Sequence, residues 1–161
     1  REWRAITVLR CLLLLFVVAP VSAGPAADGR RFLGQATAKT WGARGGMAGL
    51  PPQRITVLNK CAENAQGKWV VYWMSAAQRS DSNPALEYAV RKSNEHALPL
   101  VVLFCLTDKY PEAYERHYAF MLEGLAEVAK QLRDRGIQFL VVHGCAPGPV
   151  LAAARLASCI I

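Results

Sequence analysis

The stretch that decides the fold is Lys68-Trp-Val-Val-Tyr-Trp-Met-Ser-Ala-Ala-Gln-Arg-Ser-Asp-Ser-Asn-Pro-Ala-Leu-Glu-Tyr-Ala89. Its β-branched and aromatic run from Val70 to Trp73 lacks polar alternation, which is typical of a strand covered on both faces, as in a parallel sheet. A polar loop follows. Asn83 is a good helix N-cap, and Pro84 then falls at the first helical position, where its missing N–H costs nothing. The stretch therefore predicts the first half of a β-α-β unit.

The remaining chain repeats this alternation of strand and helix. A short β-prone lead-in lies at Ile55–Leu58. The patterns then predict strands over 69–74, 100–106 and 138–142, with a fourth strand beginning at Cys159. They predict helices over 84–97, from 111 or 114 to 135, and over 150–157. Continuously apolar strands alternating with helices indicate an α/β fold. We expect a Rossmann-like, doubly wound parallel sheet with helices on both faces, truncated after the start of a late strand.

The charge of the chain is unevenly distributed. The formal net charge is +7, but residues 1–54 hold eight basic and two acidic residues, and residues 55–161 hold eleven basic and ten acidic ones. The predicted α/β domain is therefore nearly neutral, and its composition gives no nucleic-acid footprint. The five cysteines are scattered, with no C-x-x-C pair, which predicts reduced thiols in an intracellular compartment rather than a disulfide framework or a zinc site.

Residues 1–54 are interpreted as an N-terminal extension and glycine-rich linker outside the fold. A basic start, an apolar run over 11–19 and a small-residue site at Val21-Ser22-Ala23 resemble a signal peptide, and the apolar run is too short to span a bilayer. The scarcity of acidic residues also fits an organelle transit sequence, and translated upstream sequence is the third alternative. The glycines from Gly42 to Gly49 lack the Gly-Lys-Ser/Thr ending of a phosphate loop and are interpreted as linker.

Two blocks carry a resemblance to a known family. Tyr72-Trp-Met-Ser-Ala-Ala-Gln-Arg79 with Asn83-Pro-Ala-Leu-Glu-Tyr-Ala89 resembles the opening of the class II cyclobutane-pyrimidine-dimer photolyases. Leu106-Thr-Asp-Lys-Tyr-Pro-Glu-Ala113 with Arg116-His-Tyr-Ala-Phe-Met-Leu-Glu-Gly-Leu125 is similar to the same family at the expected distance. The resemblance covers about residues 54–161 and implies the N-terminal, antenna-type α/β domain of such an enzyme, without the C-terminal helical domain.

The resemblance also implies a function. Class II photolyases bind FAD in their C-terminal helical domain, flip the dimer out of UV-damaged DNA and split it by light-driven electron transfer from reduced flavin. Their N-terminal domain can hold a deazaflavin or folate antenna pigment. The resemblance therefore implies a light-dependent DNA-repair lyase whose α/β domain alone is inactive, and an intracellular location in nucleus, organelle or cytoplasm. We expect a monomer that binds no metal and no membrane.

Candidate binding residues lie where the predicted strands end, because ligands of open α/β sheets bind outside the carboxyl ends of the strands. Met74, Ser75, Gln78 and Arg79 are the candidates for the antenna site. His143, after the third predicted strand, is more typical of a structural histidine, and no catalytic set emerges from the sequence. The alternative is a small nucleotide-binding or electron-carrier α/β domain without repair activity, although no glycine-rich phosphate loop supports it.

Overall fold

The computed structural model describes residues 51–59, 61–108 and 110–161. The predictions for residues 1–23 and for the linker up to residue 50 lie outside these residues. After a single 3-10 turn at Pro52–Arg54, the described part contains the strands β1 (Trp69–Trp73), β2 (Leu100–Leu106), β3 (Gln138–His143) and β4 (Ala157–Ile160) and the helices α1 (Pro84–Glu95), α2 (Glu115–Asp134) and α3 (Pro147–Ala154).

The four strands form one parallel sheet in the order β3-β2-β1-β4. Val70 of β1 lies opposite Leu100 of β2, and Leu106 at the end of β2 lies opposite His143 of β3. The pairing of β1 with β4 shifts register between Trp69 and Val70. The central strands β1 and β2 are the two continuously apolar runs, since only they are covered on both edges and both faces.

Helices cover both faces of the sheet. On one face α1 and α2 pack on alternate strand residues, and this main core is formed by Val70, Tyr72, Met74, Leu86, Ala89, Val90, Leu100, Val102, Phe104, Leu106, Leu122, Leu125, Val128, Leu132 and Ile137. On the other face α3 contributes Val150 and Ala153 to a smaller cluster around Val71, Leu103 and Ala157. The predicted fold class, an α/β parallel sheet with helices on both faces, is confirmed.

Helix α1 begins as its sequence predicts. The Asn83 side chain accepts a hydrogen bond from the Leu86 N–H, and Pro84 occupies the first helical position. The helix ends two residues earlier than predicted, because Ala97 adopts a left-handed conformation with φ of 51°. The chain then turns back, and the Leu98 N–H donates to the Ser93 carbonyl at 3.0 Å.

Helix α2 ends just before Gly136, a natural helix stop. Gly136 has φ of 73°, a conformation that glycine adopts without a steric cost, and the Ile137 N–H donates back to the Leu132 carbonyl at 2.9 Å. Leu132 and Ile137 are both buried. This hydrophobic contact across the helix end leads the chain directly into β3.

Several local predictions are wrong. Helix α3 begins at Pro147 rather than residue 150, because both of its prolines lie within the first turn. Tyr114 lies four residues before Tyr118 and eight before Leu122, and this helical spacing predicts a place on the apolar, core-facing stripe of α2. In the structure, Tyr114 is instead the exposed N-cap of that helix. The Ile55–Leu58 segment is not in a strand, and Leu58 is 94% exposed. Trp73, expected in the core, is 38% exposed at the end of β1.

Within the described residues, no helix combines the length and the apolar character needed to cross a membrane.

Candidate functional site

A cavity of about 490 Å³ opens at the carboxyl edge of the sheet, where β1 and β2 end beside the first turns of α2. The carboxyl ends of neighbouring parallel strands are the usual ligand-binding edge of such sheets. Its walls come from the two strand ends, the connector that follows β2, the start of α2 and the loop after β3, namely Trp73, Met74, Ser75, Ala76, Gln78, Phe104, Cys105, Leu106, Thr107, Tyr110, Ala113, His117, Tyr118, Met121 and Ala146.

The structure brings three of the four candidate residues together at this cavity. Met74 is fully buried in its floor, and the exposed Ser75 and Gln78 line its rim. Arg79 is not among the lining residues, since its guanidinium turns back and donates to the Ser82 carbonyl at 3.1 Å. His143 is exposed, with its Nε2 3.8 Å from an Asp108 carboxylate oxygen, and it does not line the cavity.

The buried side-chain amide of Asn83 holds the loop that carries Ser75 and Gln78. Asn83 is 1% exposed, and its Nδ2 donates to the Arg79 carbonyl at 3.0 Å and to the Tyr72 hydroxyl at 3.1 Å. The same amide group lies 3.3 Å from the Ala77 carbonyl. Because a buried amide with all its partners rigidifies its surroundings, the loop is fixed before any ligand arrives.

The far end of the same loop is fixed to helix α2. The buried Ser80 hydroxyl is hydrogen-bonded to the Gln131 side chain. Arg135, whose side chain is only 8% exposed, donates to the Ser80 carbonyl at 3.2 Å and pairs with a Glu87 carboxylate oxygen at 2.8 Å. The loop thus joins α1 to α2, and the buried Ser80 anchors the far end of the loop in the core, while its rim residues stay exposed.

The opposite wall is held by side chains of α2. The Tyr118 hydroxyl donates to the Thr107 carbonyl at 3.0 Å, which ties the connector after β2 to the helix. His117 Nδ1 accepts the backbone N–H of Tyr114 at 3.0 Å and closes the first turn of the helix. Each wall is therefore set by hydrogen bonds from side chains that themselves line or adjoin the cavity.

The side chains that line the cavity suit the binding of a ligand rather than catalysis. Its lining is mainly aromatic and apolar, with hydroxyl, amide and imidazole groups at separate points, and no Asp, Glu, Lys or Arg side chain of the described residues lines it. Burial raises the pKa of the Cys105 thiol, so that side chain is protonated and a poor nucleophile at neutral pH. Such a lining suits a flat, largely uncharged ring system that stacks on aromatic side chains and takes a few hydrogen bonds.

The sequence interpretation did not single out the α2 side of this cavity. Tyr110, His117 and Tyr118 lie in the second family-like block, which was the signal available for them. Their arrangement depends on where α2 begins and on how this helix packs against the sheet. Neither follows from the residue pattern alone.

Comparison with known proteins gives consistent results for this region. The family described as DNA photolyase matches residues 70–158. The chain is 46% identical over 99 residues to the deoxyribodipyrimidine photo-lyase of Methanothermobacter thermautotrophicus, and this alignment covers 62% of this chain and 22% of that protein. It is 41% identical over 102 residues to that of Potorous tridactylus and 36% identical over 104 residues to that of Arabidopsis thaliana, covering 63% and 59% of this chain. The matched region spans about one fifth of each relative, namely 22%, 19% and 20%.

Proposed function

The chain belongs to the DNA photolyase family, and we propose that it is the N-terminal α/β portion of a class II enzyme that splits cyclobutane pyrimidine dimers under light. The observation that carries this proposal is the 46% identity to a deoxyribodipyrimidine photo-lyase over 99 residues. The assignment to class II rests on the two family-like blocks, residues 72–89 and 106–125.

We propose a division of roles between this portion and the rest of the enzyme, and the chain's match to only about one fifth of its relatives supports it. FAD, when bound, supplies the electron that splits the dimer, and we propose that it is held, together with UV-damaged DNA, by the portion of the enzyme outside these residues. The near neutrality of residues 55–161, with eleven basic and ten acidic residues, supports a DNA contact made elsewhere. We further propose a monomeric, intracellular enzyme.

The role proposed for the α/β domain is to hold an antenna pigment in the carboxyl-edge cavity. A cavity of about 490 Å³ lies within the usual range for small-molecule sites, roughly 300–1,000 Å³. Trp73 and Tyr110 offer aromatic surfaces, and Ser75 and Gln78 offer hydrogen bonds to the edge of a deazaflavin or folate ring. Because the loop carrying these polar groups is fixed by Asn83, little conformational entropy is lost on binding.

A domain exchange tests the enzymatic assignment. Residues 70–158 of this chain replace their counterpart in the Methanothermobacter relative, and the purified chimera is assayed for loss of pyrimidine dimers from UV-irradiated DNA in light and in darkness. We expect light-dependent repair by the chimera and none by the 161-residue chain alone. A folded, flavin-loaded chimera that leaves the dimers intact in light would contradict the proposal.

Pigment binding is tested on the 161-residue chain itself. Titration with a hydroxylated deazaflavin and with a reduced folate, followed by quenching of tryptophan fluorescence, is expected to give saturable binding of one of them. Gln78→Ala should weaken that binding about five- to tenfold, as expected for one lost hydrogen bond of roughly 1–1.4 kcal/mol, and the matched variant Gln53→Ala should leave it unchanged. Equilibrium dialysis against ATP addresses the alternative, since tight ATP binding with no pigment binding would favour a nucleotide-binding domain.

A further inference from the structure

Three metal-ligating side chains from distant parts of the sequence meet at the amino edge of the sheet, at the opposite end from the cavity. They are Glu63 in the connector before β1, His96 directly after α1 and Cys159 in β4. One ligand atom from each residue lies within 4.8 Å of the other two. Carboxylate oxygen, imidazole nitrogen and thiolate sulfur together form a donor set that suits zinc, whereas calcium and magnesium prefer oxygen ligands alone.

The backbone holds these three residues in place. The Asn64 N–H donates to the Ser158 carbonyl at 3.0 Å, and its side-chain amide donates to the Ala157 carbonyl at 3.3 Å. These two bonds attach the connector to β4, so the neighbouring Glu63 is carried next to Cys159. The position of His96 is set by the end of α1. The three donors are therefore positioned by the fold itself.

The histidine nitrogen is the observation that points to a ligand. The His96 side chain is 28% exposed, but its Nε2 atom is shielded from solvent and forms an ion-pair contact with Oε2 of Glu63 at 2.9 Å. Within the described residues this contact lacks the geometry of a normal hydrogen bond, so Nε2 and Oε2 face each other as two metal ligands would. A metal ion placed between the three donors would satisfy the nitrogen lone pair directly.

We propose that Glu63, His96 and Cys159 bind a zinc ion that clamps the connector and the end of α1 to β4. The side chain of Glu63 is 44% exposed, which leaves room for water as the fourth ligand of a tetrahedral site. Lys92 Nζ bonds the other carboxylate oxygen of Glu63 at 3.1 Å and so orients Oε2 toward the ion, as outer ligands of metal sites commonly do. The site is separate from the cavity and independent of the proposed repair function.

Cobalt(II) is the probe, because thiolate ligation gives it a charge-transfer absorption in the near ultraviolet. Chelator-treated, reduced protein of the full 161 residues is titrated with Co²⁺. We expect one equivalent to produce this band together with the visible bands of tetrahedral cobalt, and Zn²⁺ to abolish both by displacement. Zn²⁺ should also raise the melting temperature, because it binds the folded state.

Matched variants assign the ligands. Cys159→Ser should remove the charge-transfer band, and His96→Gln should weaken cobalt binding at least about tenfold, in line with the losses known for altered metal sites. The double variant Cys61→Ser/Cys145→Ser, which removes two exposed thiols, should retain the band. Circular dichroism checks that each variant is folded. If a ligand variant does not fold, Glu63→Gln takes its place and should also weaken cobalt binding at least about tenfold. If the double variant does not fold, the single variants Cys61→Ser and Cys145→Ser serve as controls. Absence of the band, its persistence in Cys159→Ser, or its loss in the double variant would overturn the proposal.

Discussion

Replacing Asn83 by alanine should destabilise the domain more than its small volume suggests. The side chain caps α1 by accepting the Leu86 N–H at 3.2 Å, and its amide donates to the Arg79 carbonyl and to the Tyr72 hydroxyl. Tyr72 is 4% exposed, so water cannot replace the lost partner without a rearrangement of the core. The substitution therefore removes a helix cap and leaves buried polar groups unpaired.

The magnitude follows from these two parts. Loss of an N-cap costs about 1 kcal/mol, and leaving a buried polar group unsatisfied costs roughly 1–3 kcal/mol. We expect Asn83→Ala to lower the free energy of unfolding by about 2–4 kcal/mol, a large share of the 5–15 kcal/mol typical of a domain. Asn83→Ser, which keeps a capping oxygen and loses the amide donors, should recover about 1 kcal/mol of this loss.

Urea denaturation followed by tryptophan fluorescence and by far-ultraviolet circular dichroism measures these differences. The control is Asn94→Ala, an exposed position on the same helix, which should change the free energy of unfolding by less than about 0.5 kcal/mol. If Asn83→Ala costs under about 1 kcal/mol and Asn83→Ser costs the same, the amide does not hold the loop as described.

Two further predictions concern the amino edge and helix α2. Gly67→Ala should destabilise the domain by more than about 2 kcal/mol, because a Cβ there would lie 2.3 Å from the backbone nitrogen of Ser158. Gly124→Ala, with open space around it on α2, should instead stabilise the domain by about 0.5–1 kcal/mol. Thermal melts compare the two variants, and equal effects would refute the steric argument. The hydrogen bond from Lys92 lowers the pKa of Glu63 below 4.5 and raises that of Lys92 above 10.5. The stability that this pair contributes should therefore be present between those two values, be lost as the pH falls through the lowered pKa of Glu63, and be lost as the pH rises through the raised pKa of Lys92. Lys92→Met in metal-free protein should thus be less stable than the parent at pH 7, and the difference should shrink as the pH falls through the lowered pKa of Glu63. A constant difference in urea midpoints from pH 7 down into that range would contradict this.

Much of the fold could be predicted because local signals and burial agree. Asn83 followed by Pro84 marks a helix start that no competing pattern obscures, and Leu100–Leu106 is apolar throughout because the strand is central. The start of α3 was missed because two prolines next to a glycine resemble a loop, although proline is tolerated in a first helical turn. The exposure of Tyr114 was missed since helical periodicity does not show where the helix itself begins.

The sites were predictable to different degrees. Met74, Ser75 and Gln78 follow a strand end, so the edge rule for parallel sheets places them correctly at the cavity. The position of Arg79 depends on a turn back to the Ser82 carbonyl, which residue type does not encode. The cluster of Glu63, His96 and Cys159 comes from three segments that only the finished sheet brings together, so no sequence spacing could reveal it.

The strand order has a consequence for synthesis on the ribosome. β1 hydrogen-bonds to β2 on one side and to β4 on the other, and Ala157, the first residue of β4, is made 84 residues after Trp73. At roughly 5–20 residues per second, one edge of β1 waits about 4–17 s for its partner. During that interval the nascent chain presents an apolar strand with unpaired N–H and C=O groups, the kind of edge at which other chains add. Newly made protein should therefore aggregate during translation far more readily than the finished domain, and a chaperone that shields β1 should raise its yield.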